Sequence, residues 1–146
     1  MEKATRIRLV LWKAYKAVEA ADRASIAATG LCLTDFAVLE ILLHKGPLPV
    51  NVIGQKVLLT SGSITAAIDR LQRKGLVRRQ RDPADGRVFR VMLTAEGREL
   101  ISRAFADHVQ NLEATVGVLT PAERTELVRL LKKLGTWAEK RATELN

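Results

Sequence analysis

Apolar residues recur at helical spacing from residue 3 to residue 28, where Ile7, Leu11, Ala14, Val18 and Ala21 share one side of a 3.6-residue period. This stretch is Ala-rich and lacks proline, so it predicts a long helix ending near Thr29-Gly30, with Gly30 as its C-terminal cap. Thr34 offers an N-cap for "DFAVLEILLHKG", which is apolar almost all round and therefore a buried helix, stopped by Gly46-Pro47. "LPVNVIGQKVLLT" predicts a short extended piece and then a short helix from near Asn51. In "TSGSITAAIDRLQRKGLV", Ile64, Ile68 and Leu71 recur at i, i+4 and i+7 and face a core. Gly62, Thr65, Ala66, Asp69 and Arg73 fall on the opposite side. Gly75 ends that helix, with Arg73 and Lys74 at its negative end.

Beyond Gly75 the period drops to two. Residues 76–81 and 88–93 are predicted strands, the second with Phe89, Val91 and Leu93 on one face, and "DPADGR" supplies the turn of a hairpin. Thr94 caps a long helix marked by Ile101, Phe105, Leu112, Val116 and Leu119, although Gly97 three residues on leaves its capping box incomplete. Thr120-Pro121 opens a last helix, with Glu123 three residues after the threonine and Leu127, Leu130, Leu131, Leu134 and Trp137 on one face. The predicted fold class is mainly α with a small β-hairpin, a single domain over residues 1–146 with a compact middle at 31–94. The helical ends, 1–30 and 95–146, carry more apolar face than so small a middle covers, which implies a partner surface. A second copy of the chain is the economical partner.

Composition narrows the class. The 146 residues are 47% apolar and 27% charged, ordinary for one globular domain, and the formal net charge of +8 suggests a polyanionic partner. The single cysteine, Cys32, excludes an intrachain disulfide, the N-terminus lacks the apolar core of a signal peptide, and no apolar run suits a membrane span. Those features predict a cytoplasmic protein. No phosphate-cradling glycine loop, Ser–His–Asp arrangement or His-Glu-x-x-His motif stands out, so neither an enzyme nor a cofactor is expected. Glu40 and His44 lie one helical turn apart, but two ligands do not make a metal site, and none is expected.

The charge is concentrated. Residues 70–90 hold Arg70, Arg73, Lys74, Arg78, Arg79, Arg81, Arg87 and Arg90 against only Asp82 and Asp85. This cluster adjoins two short helices joined by a turn, a helix-turn-helix, whose second helix would enter the DNA major groove. Its N-terminal outward face is Gly62, Thr65 and Ala66, with Ser61 and Ser63 beside it. Small residues let a helix sit deep in a groove, and Ser and Thr hydroxyls hydrogen-bond several bases. The hairpin is then a wing with Arg87 near its tip, suited to a narrow A·T-rich minor groove, and Asp85 is placed to brace that arginine or merely to form the turn.

At this point the residues resemble a family. "DPADGRVFRVMLT" resembles the wing signature of MarR-type winged-helix regulators, with Asp85, Arg87, Leu93 and Thr94 at its positions, and "SITAAIDRLQRKGLVRR" is similar to the family's recognition helix. The resemblance extends over essentially the whole chain, including "LTPAER" before the last helix. It implies a winged helix-turn-helix, a homodimer joined through its first and last helices, and binding of double-stranded DNA at a pseudo-palindromic operator. It implies a repressor released by a small ligand or by oxidation. Ala66 stands where many relatives carry a long polar or basic side chain, which shifts direct readout toward Ser61, Ser63, Thr65 and Arg70. Arg73, Lys74 and Arg78 complete the expected DNA-binding set.

Cys32, in "TGLCLTDF", is the redox candidate, although flanking leucines also suit a buried small side chain and no basic neighbour is evident in sequence. "LTDFAVLEILLHKGPLPVNVIGQKVLLTSGSIT" resembles the branch answering to quinones and other aromatic electrophiles. Trp12, Tyr15, Phe36 and His44 are candidate contacts for an aromatic effector, with core or dimer packing as the alternative for each. An architectural DNA-binding protein with little sequence preference is the competing function.

Overall fold

A computed structural model of the chain describes residues 2–57 and 61–145. Helices α1 (Lys3–Ala27) and α2 (Leu33–Lys45) are followed by a two-residue strand β1 (Leu48–Pro49), then α3 (Val50–Val57) and α4 (Ser61–Arg73). Strands β2 (Val77–Arg81) and β3 (Phe89–Leu93) form the hairpin, and α5 (Ala95–Val116) and α6 (Pro121–Leu145) complete the chain. The turn expected between α3 and α4 lies outside the described residues. The "short extended piece" of the sequence is β1, which pairs with β3 through Leu48↔Val91, giving an antiparallel sheet in the order β1-β3-β2. The chain forms two compact units, residues 1–111 and 112–146.

The core of the first unit is built from every element expected to supply it. Ile64, Ala67, Ile68 and Leu71 of α4 are fully buried with Phe36, Val38, Leu39 and Leu42 of α2, Ile53 of α3, Val77 and Val91 of the hairpin and Ile101 of α5. Truncating a buried leucine or isoleucine of this kind costs about 2–5 kcal/mol. The apolar period of α4 thus decides which side of that helix remains outside. Among the strand residues Val91 is wholly buried while Phe89, on the same face, is 42% exposed, because the outer end of the hairpin extends past the core.

Several caps depart from what local side chains offer. The N-cap of α2 is Cys32, not Thr34, and no side chain caps it. The helix starts earlier than the hydroxyl because Leu31 packs into the core and the Cys32 carbonyl already accepts the Phe36 N–H at 3.0 Å. Gly30 adopts φ +83° but sits beyond the true C-cap of α1, Ala28. At the end of α6's approach, Thr120 and Glu123 form a reciprocal box, with N–H···O distances of 2.8 and 3.2 Å.

The junction of α4, wing and α5 is tightly tied. Gly75 takes φ +72°, its N–H bonds the Gln72 carbonyl, and the Leu76 N–H bonds the Leu71 carbonyl, closing α4 by a Schellman motif. Thr94 then returns to the same place. Its hydroxyl donates to the Gly75 carbonyl at 2.6 Å, its N–H donates to the Leu76 carbonyl at 3.1 Å, and its oxygen accepts the Gly97 N–H at 3.0 Å. A Cβ on Gly97 would stand 1.9 Å from the Leu76 carbonyl oxygen. That is why a glycine occupies the position where a capping box would place a glutamate.

Gly97→Ala is therefore expected to displace α5 from α4 and to lower unfolding free energy by about 1–3 kcal/mol, the usual size of an overpacking strain. Urea denaturation checks it, and an unchanged midpoint would show that the close approach relaxes freely.

Candidate nucleic-acid interface

The outward face of α4 is assembled by burying its other side. Gly62, Ser63, Thr65, Ala66 and Arg73 are all exposed, as their spacing required, whereas the side chain of Ser61 is outside the described set. Thr65 lines an open groove of about 600 Å³ together with Asn51, Gly54 and Gln55 of α3 and Arg87, Val88 and Phe89 of the wing. The groove joins helix-turn-helix and wing into one continuous surface. Asn51, Gln55 and Phe89 were not among the residues expected there. Asn51 and Gln55 are four apart on a short helix, and that spacing was the available signal.

The hairpin is braced by its own side chains. Asp85 accepts the Arg87 backbone N–H at 3.0 Å, so it forms the turn and does not hold the guanidinium. Asp82 binds the Ala84 N–H at 2.8 Å and the Arg90 Nε at 2.7 Å. The Ala84 amide first, then Arg90, hold the Asp82 carboxyl below its ordinary range. Arg81 donates to the Gly86 carbonyl at 3.2 Å and lies 5.2 Å from the Phe89 ring centroid.

Two of the remaining cations face inward. Arg79 of β2 reaches α4 with bonds of 2.6 Å to both Gln72 and Asp69. Arg70 reaches α2 and binds the buried Asp35 carboxylate at 2.7 Å, with Lys74 3.9 Å from the other oxygen. The Asp35 hydrogen bond, followed by its charge and a smaller contribution from Cys32, holds the guanidinium above the ordinary arginine range. Arg78 pairs across the hairpin with Met92, on the strand face opposite Arg79. Among the described residues the Arg73 and Arg87 side chains have no ion-pair partner, which leaves them available to an external anion.

The aromatic candidates separate. Trp12 and Tyr15 are exposed on α1 and share a shallow hollow of about 390 Å³ with Arg8 and Leu11. Phe36 is 1% exposed and belongs to the core. His44 is exposed with its ring 4.7 Å from Phe105. Cys32 is exposed, not a buried small hydrophobe.

A second polar cluster was missed in sequence. His108 of α5 is 4% exposed, its Nδ1 lies 2.9 Å from the Ser25 hydroxyl and its Nε2 lies 3.0 Å from an Asp22 oxygen. No Ser–His–Asp arrangement stands out in the sequence because Ser25 and His108, 83 positions apart in the chain, are brought together only by packing α5 on α1. The serine is buried, so the array ties helices rather than presenting a nucleophile. Nearby, burial raises the Glu40 carboxyl above its ordinary value, while the charges of His44 and His108 lower it and Asp22 raises it.

The exposed small-residue helix, wing and cationic tip define the class: a winged helix-turn-helix DNA-binding protein. The sequence pattern of the MarR family matches residues 31–89. The chain is 38% identical over 134 residues to the HTH-type transcriptional regulator MhqR of Bacillus subtilis, covering 92% of each. It is 35% identical over 135 residues to the B. subtilis regulator YkoM, covering 92% of this chain and 88% of that one. The solved structure of Bordetella bronchiseptica BpsR, whose DNA binding is regulated by 6-hydroxynicotinic acid, is similar with a TM-score of 0.77 at 29% identity, covering 89% and 98% of the two chains. The chain belongs to the MarR family of transcriptional regulators, DNA-binding proteins that are not enzymes. No helix among the described residues is long and apolar enough to cross a membrane.

The burial of Glu40 yields a stability prediction. Its raised folded value means the folded state holds a proton the unfolded chain has released, so stability falls as pH rises from the ordinary carboxylate range through that raised value. Glu40→Gln is expected to raise the melting temperature at pH 7 and to approach wild type as the pH falls below about 4, where the carboxyl becomes protonated in both states. A lower melting temperature at pH 7 would show that the histidines outweigh burial.

Proposed function

We propose that the chain is a homodimeric repressor that reads a pseudo-palindromic operator through α4 and its wing. The carrying observation is the groove in which Thr65 and Arg87 face the same space beside the exposed Gly62, Ser63 and Ala66. Small side chains admit the helix to a major groove, and the partnerless Arg87 extends toward the adjacent minor groove. Residues 31–94 form the DNA-binding lobe, and residues 1–30 and 95–146 are dimerisation segments. Exposed Ile7, Leu11, Trp12 and Tyr15 on α1, and Leu127, Leu130, Leu131 and Trp137 on α6, supply the apolar faces that a second copy covers.

Release from DNA is assigned to a small aromatic ligand or to oxidation or covalent modification of Cys32. The aromatic reading draws on BpsR and its 6-hydroxynicotinic acid, and on the exposed Trp12 and Tyr15 beside Arg8, a cation suited to an aromatic acid. The thiol reading draws on the exposure of Cys32.

Fluorescence anisotropy on the duplex upstream of the gene, against excess random duplex, tests this. A regulator prefers its operator by roughly 10³-fold or more, and equal binding would favour an architectural protein. Loss of binding on adding a quinone, retained in Cys32→Ser, would select the thiol route. Loss in both proteins would select a non-covalent ligand.

Two substitutions separate contact types. Arg87→Ala is expected to lose several-fold operator affinity with the dimer intact by sedimentation, and undiminished binding would remove the wing from the interface. Arg73→Ala is expected to weaken operator and random duplex alike and to flatten the salt dependence by about 0.9 in log–log slope, one phosphate contact.

A further inference from the structure

Arg70 follows Ala66 by one helical turn, so an extended Arg70 would flank the reading face of α4. It is instead bent toward α2, where its terminal nitrogen lies 2.7 Å from Asp35 Oδ1. The Asp35 side chain is 3% exposed and stands in the first turn of α2, while Lys74 approaches its second oxygen at 3.9 Å. A carboxylate this buried is stable only while its cations remain. The apolar stripe of Ile64, Ala67, Ile68 and Leu71 presses α4 onto the core, but apolar contact is non-directional and tolerates rotation. A charge-assisted hydrogen bond off the side of the helix has a direction.

We propose that Asp35 is a positioning residue for DNA recognition, gripping Arg70 as a strut that fixes the rotation of α4, so that Arg70 acts through helix placement and not by touching DNA. This rests on the operator-reading role of α4 proposed above. With side chains about 5–6 Å from a helix axis, a rotation of about 10° moves the tips at Thr65 and Ser63 by roughly 1 Å, enough to spoil base hydrogen bonds. Phosphate contacts, made by flexible cations, survive such a movement. The strut therefore governs the preference for operator over random duplex more than affinity for DNA as such.

The test compares wild type, Arg70→Met, Asp35→Asn and the double variant, all full-length and checked for folding by thermal melting. The operator is the consensus that wild type selects from a randomised duplex library. Arg70→Met is expected to lose about ten-fold in operator affinity, the size of one disrupted base contact. Its affinity for random duplex and its salt slope should stay those of wild type. Asp35→Asn should show the same loss, and the double variant should be no worse than either single one. If Asp35→Asn does not fold, Arg70→Met decides alone, because its side chain is 39% exposed, its removal opens no cavity, and Lys74 stays 3.9 Å from the Asp35 carboxylate. A slope flattened by about 0.9 in Arg70→Met would make Arg70 a phosphate contact and overturn the proposal. Relaxed preference at a single base position would make it a base reader, and wild-type behaviour of both single variants would make the pair inert; either overturns it. If wild type selects no consensus, the operator-reading role fails instead. An unchanged salt slope of Arg70→Met on random duplex would then still support the strut, and a flattened one would still overturn it.

Discussion

The wing can be placed against the recognition helix only because the end of α4 and the start of α5 converge on two residues, Gly75 and Leu76. Leu76 closes the Schellman motif through its N–H, and its carbonyl accepts the Thr94 N–H as the chain leaves the wing. Gly97 meets that same carbonyl so closely that no side chain fits between. Both strands of the wing are therefore rooted within a residue or two of the last turn of α4. The register from Val77↔Leu93 to Arg81↔Phe89 carries that placement outward. Arg79, bonded to Asp69 and Gln72, adds a tie from the first strand back to α4. Arg87 shares a groove with Thr65 because a rigid root and a short ladder leave the tip little freedom.

The structure divides a charge cluster that composition treats as uniform. A net charge of +8 says that an anion is attracted, and the crowding of cations into residues 70–90 says where. Packing then assigns individual cations. Arg70, Arg79 and Arg90 are spent on Asp35, Asp69 and Asp82, so they shape the lobe more than they neutralise phosphate. Arg73, Arg78, Arg81 and Arg87 have no ion pair among the described residues, and of these Arg78 leans on Met92 and Arg81 on the Gly86 carbonyl. Such internal pairs at exposed positions contribute little stability each, so their value lies in direction rather than strength. Asp35 differs because its carboxylate is buried, and losing its partner would strand a charge.

What the sequence made legible was local. The period of Ile64, Ile68 and Leu71 and the glycine after Arg73 identify α4, its inner face and its end within a dozen residues. The switch to period two and the Pro, Asp and Gly cluster identify the hairpin the same way. What it hid was non-local or depended on the path of the chain. Thr34 carries the better capping side chain, yet Cys32 starts α2 because core packing of Leu31 sets where the chain turns. The family resemblance offered Arg70 as a base reader, and its pairing with Asp35 was hidden because that partner lies 35 residues away with nothing nearby to mark it. For Phe36 the sequence left ligand contact and core packing open, and burial to 1% exposure places it in the core.

Ser25, His108 and Asp22 show why residue types do not make a site without access. The array has the order of a hydrolytic triad, with the imidazole between a hydroxyl and a carboxylate. Nδ1 lies 2.9 Å from the Ser25 hydroxyl and Nε2 lies 3.0 Å from an Asp22 oxygen, so both ring nitrogens have a partner. No described buried side-chain polar atom lacks a partner, and the Phe36 ring meets the imidazole edge-on at 5.0 Å. A hydroxyl that is to attack a substrate must face a cleft with donors aimed at the developing oxyanion. This one faces α5 from within the helix contact. Its chemistry is to hold α1 against α5 where an apolar pair would tolerate sliding, the same use of a directional polar contact that Arg79 makes between wing and recognition helix.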